Sequence, residues 1–477
     1  MIPKSTPPRS KRAATDLAIV LLSTGWLACG DGEGAGTKAE NFDPPNIVVV
    51  LVDTLRADHT SVYGYARNTT PNLARIADVG LLARQHFSNA PWTKPSVGSI
   101  LTGAHPSAHG SRTGQFEQVQ KYKELVAAGK PPMIEILAER LETLPERLRD
   151  AGYRTAAFLS NYHLDEKFGY AQGYDDYLFV QDREAIDRTI ELLASAERPV
   201  FAWCHLMTVH EYAYPDDFAL FSSETATPID PKALQRWRVA KYATIEQAVD
   251  AYDNSIRYAD SLVGELFDFI QAEAPNTILV VTSDHGEEFY EHGGFEHVNT
   301  LYNEMLKIPL VVYGPGVPTG SVEGLSDTTD ILPSLLRAAG VIAPAGLAGR
   351  PLWASGKVGA GKAEVFAEQH HRGPATRFTV LRADGKLILS IPKARGAEKS
   401  ELYADGLRIE GEPADPSREG VLFRELRARI EDHRRQNQAW FDRNVGSSRY
   451  EHLDENDLRA LEALGYIEPE ADAPTSH

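Results

Sequence analysis

Two apolar runs that each end in an acidic residue constrain this chain more than any other feature. Asn46–Val52 leads into Asp53, and Thr277–Ser283 leads into Asp284 and His285. Both runs are rich in β-branched residues, which is typical of strands buried on both faces of a parallel sheet. Because ligands of such sheets bind at the carboxyl ends of the strands, two neighbouring strands would bring these acids together. Two carboxylates and an imidazole in one cleft predict a bound cation, since the carboxylates repel each other without one.

The composition is that of a large globular protein with an excess of acidic side chains. The chain has 477 residues, of which 42% are hydrophobic, and its 49 Lys and Arg against 67 Asp and Glu give a net charge of −18. This length suffices for one large α/β core with a smaller appendage. The acidic balance argues against a nucleic-acid partner, which would need a basic surface. An anionic ester substrate stays compatible with it, because a bound cation reverses the charge locally.

The N-terminus predicts export. Several basic residues precede the apolar run Leu17–Ala28, which is followed at once by Cys29. A basic segment before a short apolar run is typical of an export signal, and the small residue before Cys29 indicates the lipoprotein type. We therefore expect a signal over 1–29, a Gly-rich flexible tether over 30–43, and a periplasmic or cell-envelope location. The only expected membrane contact is a lipid anchor on Cys29.

Strand-like and helical patterns alternate from residue 44 to about 363. Strands are predicted at Ile47–Val52, Arg154–Leu159, Val200–Leu206, Ile278–Thr282 and Ile308–Tyr313. This alternation predicts an α/β fold with a doubly wound, mainly parallel sheet that forms a catalytic domain over 44–363. Short strands and a charged helix then predict a smaller C-terminal subdomain, with an antiparallel sheet plus helix, over 364–477.

Thr93 is a candidate nucleophile. The segment around it predicts a short helix that begins near Pro95 and ends at Gly103. Thr93 would lie just before this helix, where the positive helix potential favours an alkoxide. An alcohol activated by a metal ion is a competent nucleophile toward phosphorus or sulfur. The alternative is that the Thr93 hydroxyl only caps the helix.

Taken together, these segments resemble the sulfatase family of the alkaline phosphatase superfamily. The similar segments are Ile47–Asp58, Thr93–Gly103, Ser283–Gly316 with its SDHGEEFYEHG sequence, and Glu401-Leu402-Tyr403. The similarity extends over about 44–465. It implies an alkaline phosphatase-like fold and a metal-dependent hydrolase that acts on small-molecule, glycan or lipid esters of sulfate or phosphate.

The resemblance also implies a metal site. Its ligands would be Asp53, Thr93, Asp284 and His285. Typical sulfatases hold Ca²⁺ with an Asn at the position of His285. An imidazole among oxygen ligands favours Mn²⁺ or Zn²⁺, although Ca²⁺ stays an option.

Three further residues are assigned to the substrate by the same resemblance. His210 and His297 would flank the ester, as general acid or as donors to its oxygens. Arg56 could hold an anionic oxygen through two hydrogen bonds, and the alternative for Arg56 is a salt bridge with Asp58. His205 lies inside a predicted strand and is expected to be buried structure. Because superfamily members with two metals use additional His ligands, His205, His210 and His297 of this chain could instead bind a second ion.

The chain departs from the family pattern at the nucleophile. Typical sulfatases carry Cys or Ser where Thr93 stands, and this residue is oxidised to formylglycine. Threonine bears a methyl group on its carbinol carbon, so no formylglycine is expected here. The supporting arginine is replaced by Val97, and the second acid of the opening motif is replaced by Thr54. An unmodified threonine favours phosphoryl chemistry or an atypical sulfatase.

Three hypotheses follow. The leading one is an exported, metal-dependent hydrolase of sulfate or phosphate esters with Thr93 as nucleophile. The second is a phosphoryl or headgroup transferase, or a phosphodiesterase, at the membrane surface. The third is an inactive binding protein with the sulfatase fold, which the retained acids and His285 argue against.

Overall fold

The structure is a computed structural model that describes most of the chain from residue 43 onward. The described residues are 43–113, 133–225, 227–228, 241–371, 373–414, 420–454, 456–457 and 459. The predicted export signal and almost all of the predicted tether lie outside these ranges. From Pro44 onward the described residues belong to one compact unit. None of the helices within the described ranges combines the length and apolar character needed to traverse a lipid bilayer.

The strands are short and numerous. In chain order they are β1 (Asn46–Val52), β2 (Leu81–Phe87), β3 (Met133–Ile136), β4 (Arg154–Leu159), β5 (Asp176–Phe179), β6 (Val200–Leu206), β7 (Thr277–Thr282), β8 (Glu288–Phe289), β9 (Phe295–Glu296), β10 (Leu310–Tyr313), β11 (Gly320–Asp327), β12 (Trp353–Ala354), β13 (Lys357–Val358), β14 (Glu364–Gln369), β15 (Ala375–Arg382), β16 (Gly385–Pro392), β17 (Lys399–Tyr403) and β18 (Arg449–His452).

The α-helices range from a single turn to 29 residues. In chain order they are α1 (Pro71–Val79), α2 (Thr93–Thr102), α3 (Pro106–His109), α4 (Leu144–Asp150), α5 (Asp182–Ala194), α6 (Thr208–Glu211), α7 (Ile245–Glu273), α8 (Asn303–Leu306), α9 (Ile331–Ala338) and α10 (Gly420–Asn444). Short 3₁₀ turns connect several of these elements.

The central sheet has eight strands in the order β11-β2-β10-β7-β1-β6-β4-β5. Strand β1 pairs in parallel with β7, as the two acid-ended runs predicted, and it also pairs in parallel with β6. The mainly parallel α/β fold is therefore confirmed. Strand β10 is the exception, because it runs antiparallel to both β7 and β2. The alternation pattern did not predict this reversal. The chain returns from β7 to β10 through short elements and no long crossover helix, which a parallel connection needs.

Both faces of this sheet are buried. Along β1, Ile47, Val49 and Leu51 pack into one apolar cluster with helices α2, α4 and α9. Alternate residues of the same strand, including Val48 and Val50, pack into a second cluster with α1, α5 and α7. Burial on both faces explains why β1 is apolar without alternation. Because both faces are apolar, polar side chains of the sheet come together at the strand ends.

The C-terminal part adds a second layer. Strands β14 to β17 form a four-stranded antiparallel sheet that begins at Glu364. Helix α10 packs on it through Leu426 and Ile430. The predicted antiparallel sheet plus helix is confirmed. Strand β18 then pairs with β3 and returns the chain to the larger part of the molecule.

Three strands of the central sheet escaped the sequence analysis. Strand β2 reads LLARQHF and carries a charged and a polar residue in its middle. Strands β5 and β11 form the two edges of the sheet, and β11 has an irregular register between Val322 and Leu325. Polar residues are tolerated at such edges. None of the three strands shows the continuous apolar pattern that identified β1 and β7.

Candidate active site

The carboxyl ends of β1 and β7 bring two acids and a histidine together. The two strands are in register, with Leu51 opposite Thr282, so Asp53 and Asp284 follow at the same edge. One ligand atom from each of Asp53, Asp284 and His285 lies within 4.8 Å of the others. All three residues are fully buried. We refer to Asp53, Asp284 and His285 as the strand-end cluster.

His285 presents a lone pair to the two acids. Its Nδ1 lies 2.9 Å from the Gly286 carbonyl oxygen, which can only accept, so Nδ1 carries the hydrogen. Its Nε2 then faces Asp53 Oδ1 at 3.6 Å and Asp284 Oδ2 at 3.4 Å. Neither of these carboxylate oxygens has a hydrogen-bond partner among the described residues. Two buried orphan oxygens and an imidazole lone pair directed at one place fit a divalent cation.

A strained turn holds the other oxygen of Asp284. Oδ1 accepts hydrogen bonds from the backbone N–H of Thr54 at 3.3 Å and of His285 at 3.0 Å. Thr54 has a φ of 61°, a left-handed conformation that a β-branched residue rarely adopts. The Tyr252 hydroxyl supports this turn by donating to the Thr54 carbonyl at 2.6 Å. The strain turns the Thr54 N–H toward Asp284 and so fixes the carboxylate.

Two residues outside the predicted ligand set hold the second oxygen of Asp53. Asn161 was not predicted, and His205 was expected to be buried structure or a ligand of a second ion. Asn161 Nδ2 lies 2.9 Å and His205 Nε2 3.0 Å from Asp53 Oδ2. Asn161 comes two residues after β4, and His205 lies near the carboxyl end of β6, where it stands opposite Leu51. The strand-end rule that identified Asp53 makes both residues candidates, but it does not show which strands are neighbours. His205 is buried, as expected, but it contacts the site.

Thr93 lies inside this arrangement. Its Oγ1 is 3.4 Å from both Asp53 Oδ2 and His285 Nε2. The residue is 1% exposed and is the first of α2, which begins two residues earlier than predicted. Trp92 occupies the N-cap position, so the helix-cap alternative for Thr93 is not the arrangement found. The N-terminal helix potential of α2 therefore acts directly at the Thr93 hydroxyl.

The rings of His297 and His210 lie next to His285 of the strand-end cluster. The ring centre of His297 is 4.5 Å from that of His285 and 5.3 Å from that of His210. His297 Nδ1 is 3.1 Å from Glu287 Oε1, and the Tyr212 hydroxyl donates to the other oxygen of Glu287 at 3.2 Å. A carboxylate that is itself held in place fixes the orientation of His297. The structure thus brings both predicted histidines to the cluster.

The electrostatics of the two acids differ. Burial raises the pKa of the Asp53 carboxyl, but His210, His205 and His285 outweigh burial and hold this pKa well below its usual range. Burial and the charge of Asp53 raise the pKa of Asp284. Asp53 therefore favours its charged form, whereas burial and the charge of Asp53 disfavour the charged form of Asp284. A divalent cation between the two carboxylates would favour the charged form of both.

Arg56 occupies a different place from the one suggested by the resemblance. Its Nε and Nη2 donate to the two oxygens of Asp58, at 2.9 and 2.7 Å. Its Nη1 donates to Glu291 Oε1 at 2.6 Å and to the Glu287 carbonyl at 2.9 Å. The salt-bridge alternative is therefore the arrangement found. Arg56 clamps the loop after β7 and is not directed at the strand-end cluster by these contacts.

Comparisons with known proteins agree with this geometry. The sulfatase family model matches residues 45–341. N-acetylgalactosamine-6-sulfatase of Homo sapiens is 26% identical, with 69% of each chain covered. Delta 4,5-hexuronate-2-O-sulfatase of Bacteroides thetaiotaomicron is 21% identical, with 76% of this chain and 86% of the relative covered.

Solved structures show the same fold. A protein in complex with its substrate D-glucosamine-2-N,6-O-disulfate has a TM-score of 0.65 at 18% identity, over 83% of this chain and 99% of the other. The phosphonate monoester hydrolase of Agrobacterium radiobacter has a TM-score of 0.63 at 16% identity, over 82% and 96%. With the family model covering more than half of the sequence, the chain belongs to the sulfatase family and is an ester hydrolase of that family.

Proposed function

We propose that this protein is a metal-dependent hydrolase of sulfate or phosphate esters in which Thr93 is the nucleophile. The observation that carries the proposal is the position of the Thr93 hydroxyl, 3.4 Å from Asp53 Oδ2 and from His285 Nε2, beside two orphan carboxylate oxygens. A hydroxyl in this place has the neighbours that an activated alcohol needs.

The residues that would hold the cation are Asp53, Asp284 and His285, with the Thr93 hydroxyl next to them. When bound, a divalent cation supplies Lewis-acid polarisation of the ester and favours the alkoxide form of an adjacent alcohol. The imidazole among the ligands favours Mn²⁺ or Zn²⁺ over Ca²⁺.

The side chains of the site have separate roles in the proposed reaction. Thr93 releases its hydroxyl proton to solvent, and its Oγ1 forms a bond to phosphorus or sulfur while the bond to the leaving oxygen breaks. His210 or His297, whose ring centres are 5.3 Å apart, would give a proton to that leaving oxygen. Water then cleaves the Thr93 ester and restores the hydroxyl. Asn161 and His205 keep the Asp53 carboxylate oriented throughout.

Because its methyl group prevents conversion to formylglycine, Thr93 favours phosphate and phosphonate esters over sulfate esters. The hydrate of formylglycine expels sulfate by a built-in step that an unmodified threonine lacks. A phosphorylated threonine, in contrast, can be hydrolysed by water or passed to another alcohol. For the same reason, phosphodiesterase and phosphotransferase activities are compatible with this site.

A substrate panel tests the proposal. The purified protein is assayed with an aryl sulfate, an aryl phosphate monoester, a phosphate diester and an aryl phosphonate, and its metal content is measured in parallel. Thr93→Ala is expected to lower turnover at least about a thousandfold, and Thr93→Ser is expected to retain part of it. Full activity of Thr93→Ala would overturn the assignment of the nucleophile.

We also propose that the protein is exported and anchored through Cys29. The basic residues, apolar run and Cys29 of the N-terminal sequence support this proposal. Labelled palmitate should be incorporated into the full chain in a bacterial host, and Cys29→Ala should abolish the labelling. Accumulation of the unlabelled full-length chain in the cytoplasm would contradict export.

A further inference from the structure

A cavity lies away from the strand-end cluster. It has a volume of about 790 Å³ and opens between the C-terminal end of α2 and helix α10. Its walls come from both parts of the molecule, with Ala104 and His105 on one side and Phe366 and Asn437 on the other. Ligand sites of about 300–1,000 Å³ are common at such junctions.

The cavity and the active site stand at opposite ends of α2. Thr93 is the first residue of this helix, and Ala104 follows its C-terminal glycine, Gly103. With a rise of 1.5 Å per residue, the two ends are about 15 Å apart. An occupant of the cavity would therefore not contact the Thr93 hydroxyl.

Cationic side chains outnumber acidic ones in the cavity lining, although the protein as a whole is acidic. The lining contains five cations and two acids, in a chain whose net charge is −18. The cations are Arg350, Lys362, Arg382, Arg429 and Arg443. His105, also in the wall, stays neutral because burial lowers its pKa to about 3. Which ligands the cavity attracts therefore depends on the cations that no acid neutralises.

Two of these cations are available to a ligand. Lys362 is held by Asp327 at 2.8 Å and by Asp330 at 2.9 Å, Arg429 is held by Glu364 at 2.8 Å, and Arg382 is held by Asp384 at 2.8 Å. Arg350 and Arg443 are exposed, and no acid within the described ranges pairs with either guanidinium. A planar guanidinium without a partner binds carboxylate or sulfate oxygens through two parallel hydrogen bonds.

The remaining wall is suited to a sugar. Trp440 lines the cavity and is half-buried, so part of its indole ring is open to a ligand. The neighbouring Asn437 is buried and fixed, since its Nδ2 donates to Glu368 Oε1 at 3.0 Å and to Ser107 Oγ at 3.1 Å. These bonds hold α10 against α3 and keep the wall rigid. An indole surface beside amide groups suits the apolar face and the hydroxyls of a pyranose ring.

We propose that this cavity binds an acidic saccharide, with Arg350 and Arg443 holding its carboxylate or sulfate groups and Trp440 packing against a sugar ring. The site is separate from the strand-end cluster and performs no chemistry. It would keep an acidic glycan on the enzyme independently of ester hydrolysis, so the inference does not depend on the proposed function.

Calorimetric titration with tetragalacturonate tests the site, because this carboxylated probe has no sulfate or phosphate ester to be hydrolysed. The full chain should bind it, and the Arg350→Gln/Arg443→Gln double variant should bind at least about tenfold more weakly. The matched control, Lys357→Gln/Arg395→Gln, removes two exposed positive charges outside the cavity and should bind within about twofold of the wild type. Trp440→Leu should also weaken binding, since it keeps bulk but loses the indole surface.

Three results would overturn the proposal. The first is equal affinity of the wild type and the cavity double variant, and the second is an equal loss in the control variant. The third is equal binding of uncharged maltotetraose, or binding of inorganic sulfate as tight as that of tetragalacturonate. Hydrolysis of a small aryl ester should stay unchanged in the cavity double variant, which also verifies that the variant is folded.

Discussion

The described part of the chain contains two clusters of the same composition, each with two carboxylates and one imidazole. The strand-end cluster joins Asp53, Asp284 and His285, and a second cluster joins Glu288, His292 and Glu304. In both, one ligand atom of each residue lies within 4.8 Å of the others. The residue types alone give no reason to treat the two clusters differently.

The histidine distinguishes the two clusters. In the strand-end cluster, His285 Nδ1 donates to a carbonyl, so Nε2 offers a lone pair to oxygens that stay at 3.4 and 3.6 Å. In the second cluster, His292 Nδ1 is 2.6 Å from Glu304 Oε1, and Nε2 is 3.1 Å from the Glu410 carbonyl. Both nitrogens of His292 lie within hydrogen-bond distance of acceptors, so this ring has the partners of an imidazolium, whereas His285 Nε2 makes no hydrogen bond to either carboxylate of its cluster. The strand-end cluster therefore needs a metal cation between its carboxylates, whereas the His292 ring supplies the positive charge of the second cluster.

Hydrogen bonds hold two of the four carboxylate oxygens of the second cluster. One is Glu304 Oε1, beside His292, and the other is Glu288 Oε1, which accepts from the backbone N–H of Gly294 at 2.7 Å and of His292 at 3.1 Å. Gly294 permits this approach, because a Cβ there would lie 2.8 Å from Glu288 Oε2. Glu304 Oε2 has no hydrogen-bond partner among the described residues. Metal content is therefore the measurement that can show whether the two clusters differ.

The largest expected effect is the loss of metal and activity in Asp284→Asn. The substitution keeps the side-chain volume and removes the charge that should hold the cation, so kcat/KM should fall at least about a thousandfold. Elemental analysis should show about one divalent ion per wild-type chain and almost none in the variant. The matched control is Glu304→Gln, which should keep the wild-type metal content. Two ions per chain, or equal metal loss in both variants, would contradict the distinction between the clusters.

A smaller effect is expected at the residues that orient Asp53. Asn161→Ala or His205→Gln should weaken metal binding about 10- to 100-fold, because each removes a hydrogen bond of about 3 Å to Asp53 Oδ2. Titration of the metal-free protein with Zn²⁺ or Mn²⁺ measures the change. Asn254→Ala is the control, since this buried amide binds backbone groups at Leu220 and Phe221. An unchanged metal affinity in both test variants would mean that these contacts only support the fold.

The contrast also shows how far the sequence could predict the site. Asp53 and Asp284 follow strands whose apolar pattern identifies them, and parallel pairing brings the strand ends together. Asn161 depends instead on β4 lying beside β6, a spatial order that the linear pattern does not encode. For Arg56, the deciding partner is Glu291, more than 200 positions later in the chain. The contact between His292 and Glu304 depends on how the loops fold, which neither a sequence motif nor an apolar periodicity predicts.

Removing the charge of Glu304 should destabilise the protein without affecting its metal. Glu304→Gln leaves the His292 imidazolium without its 2.6 Å partner, and breaking a buried ion pair costs on the order of 3 kcal/mol. Urea unfolding of the metal-free protein measures the difference. Asp268→Asn, which breaks the exposed pair with Arg75, should cost less than about 1 kcal/mol. Equal costs would mean that the second cluster is no stronger than a surface ion pair.

The smallest expected effect is a pH dependence confined to the second cluster. Burial lowers the pKa of His292, but the hydrogen bond and charge of Glu304 outweigh burial and raise this pKa above its ordinary value of 6.5. A raised folded-state pKa gives stability that is complete below the ordinary value and is lost as the pH rises through the folded-state pKa. The difference in unfolding free energy between the wild type and His292→Gln should therefore shrink from about pH 5 to about pH 9. A difference that stays constant over this range would mean that His292 does not lose its proton there. The positive charge of His292 would then no longer explain why the second cluster needs no metal cation.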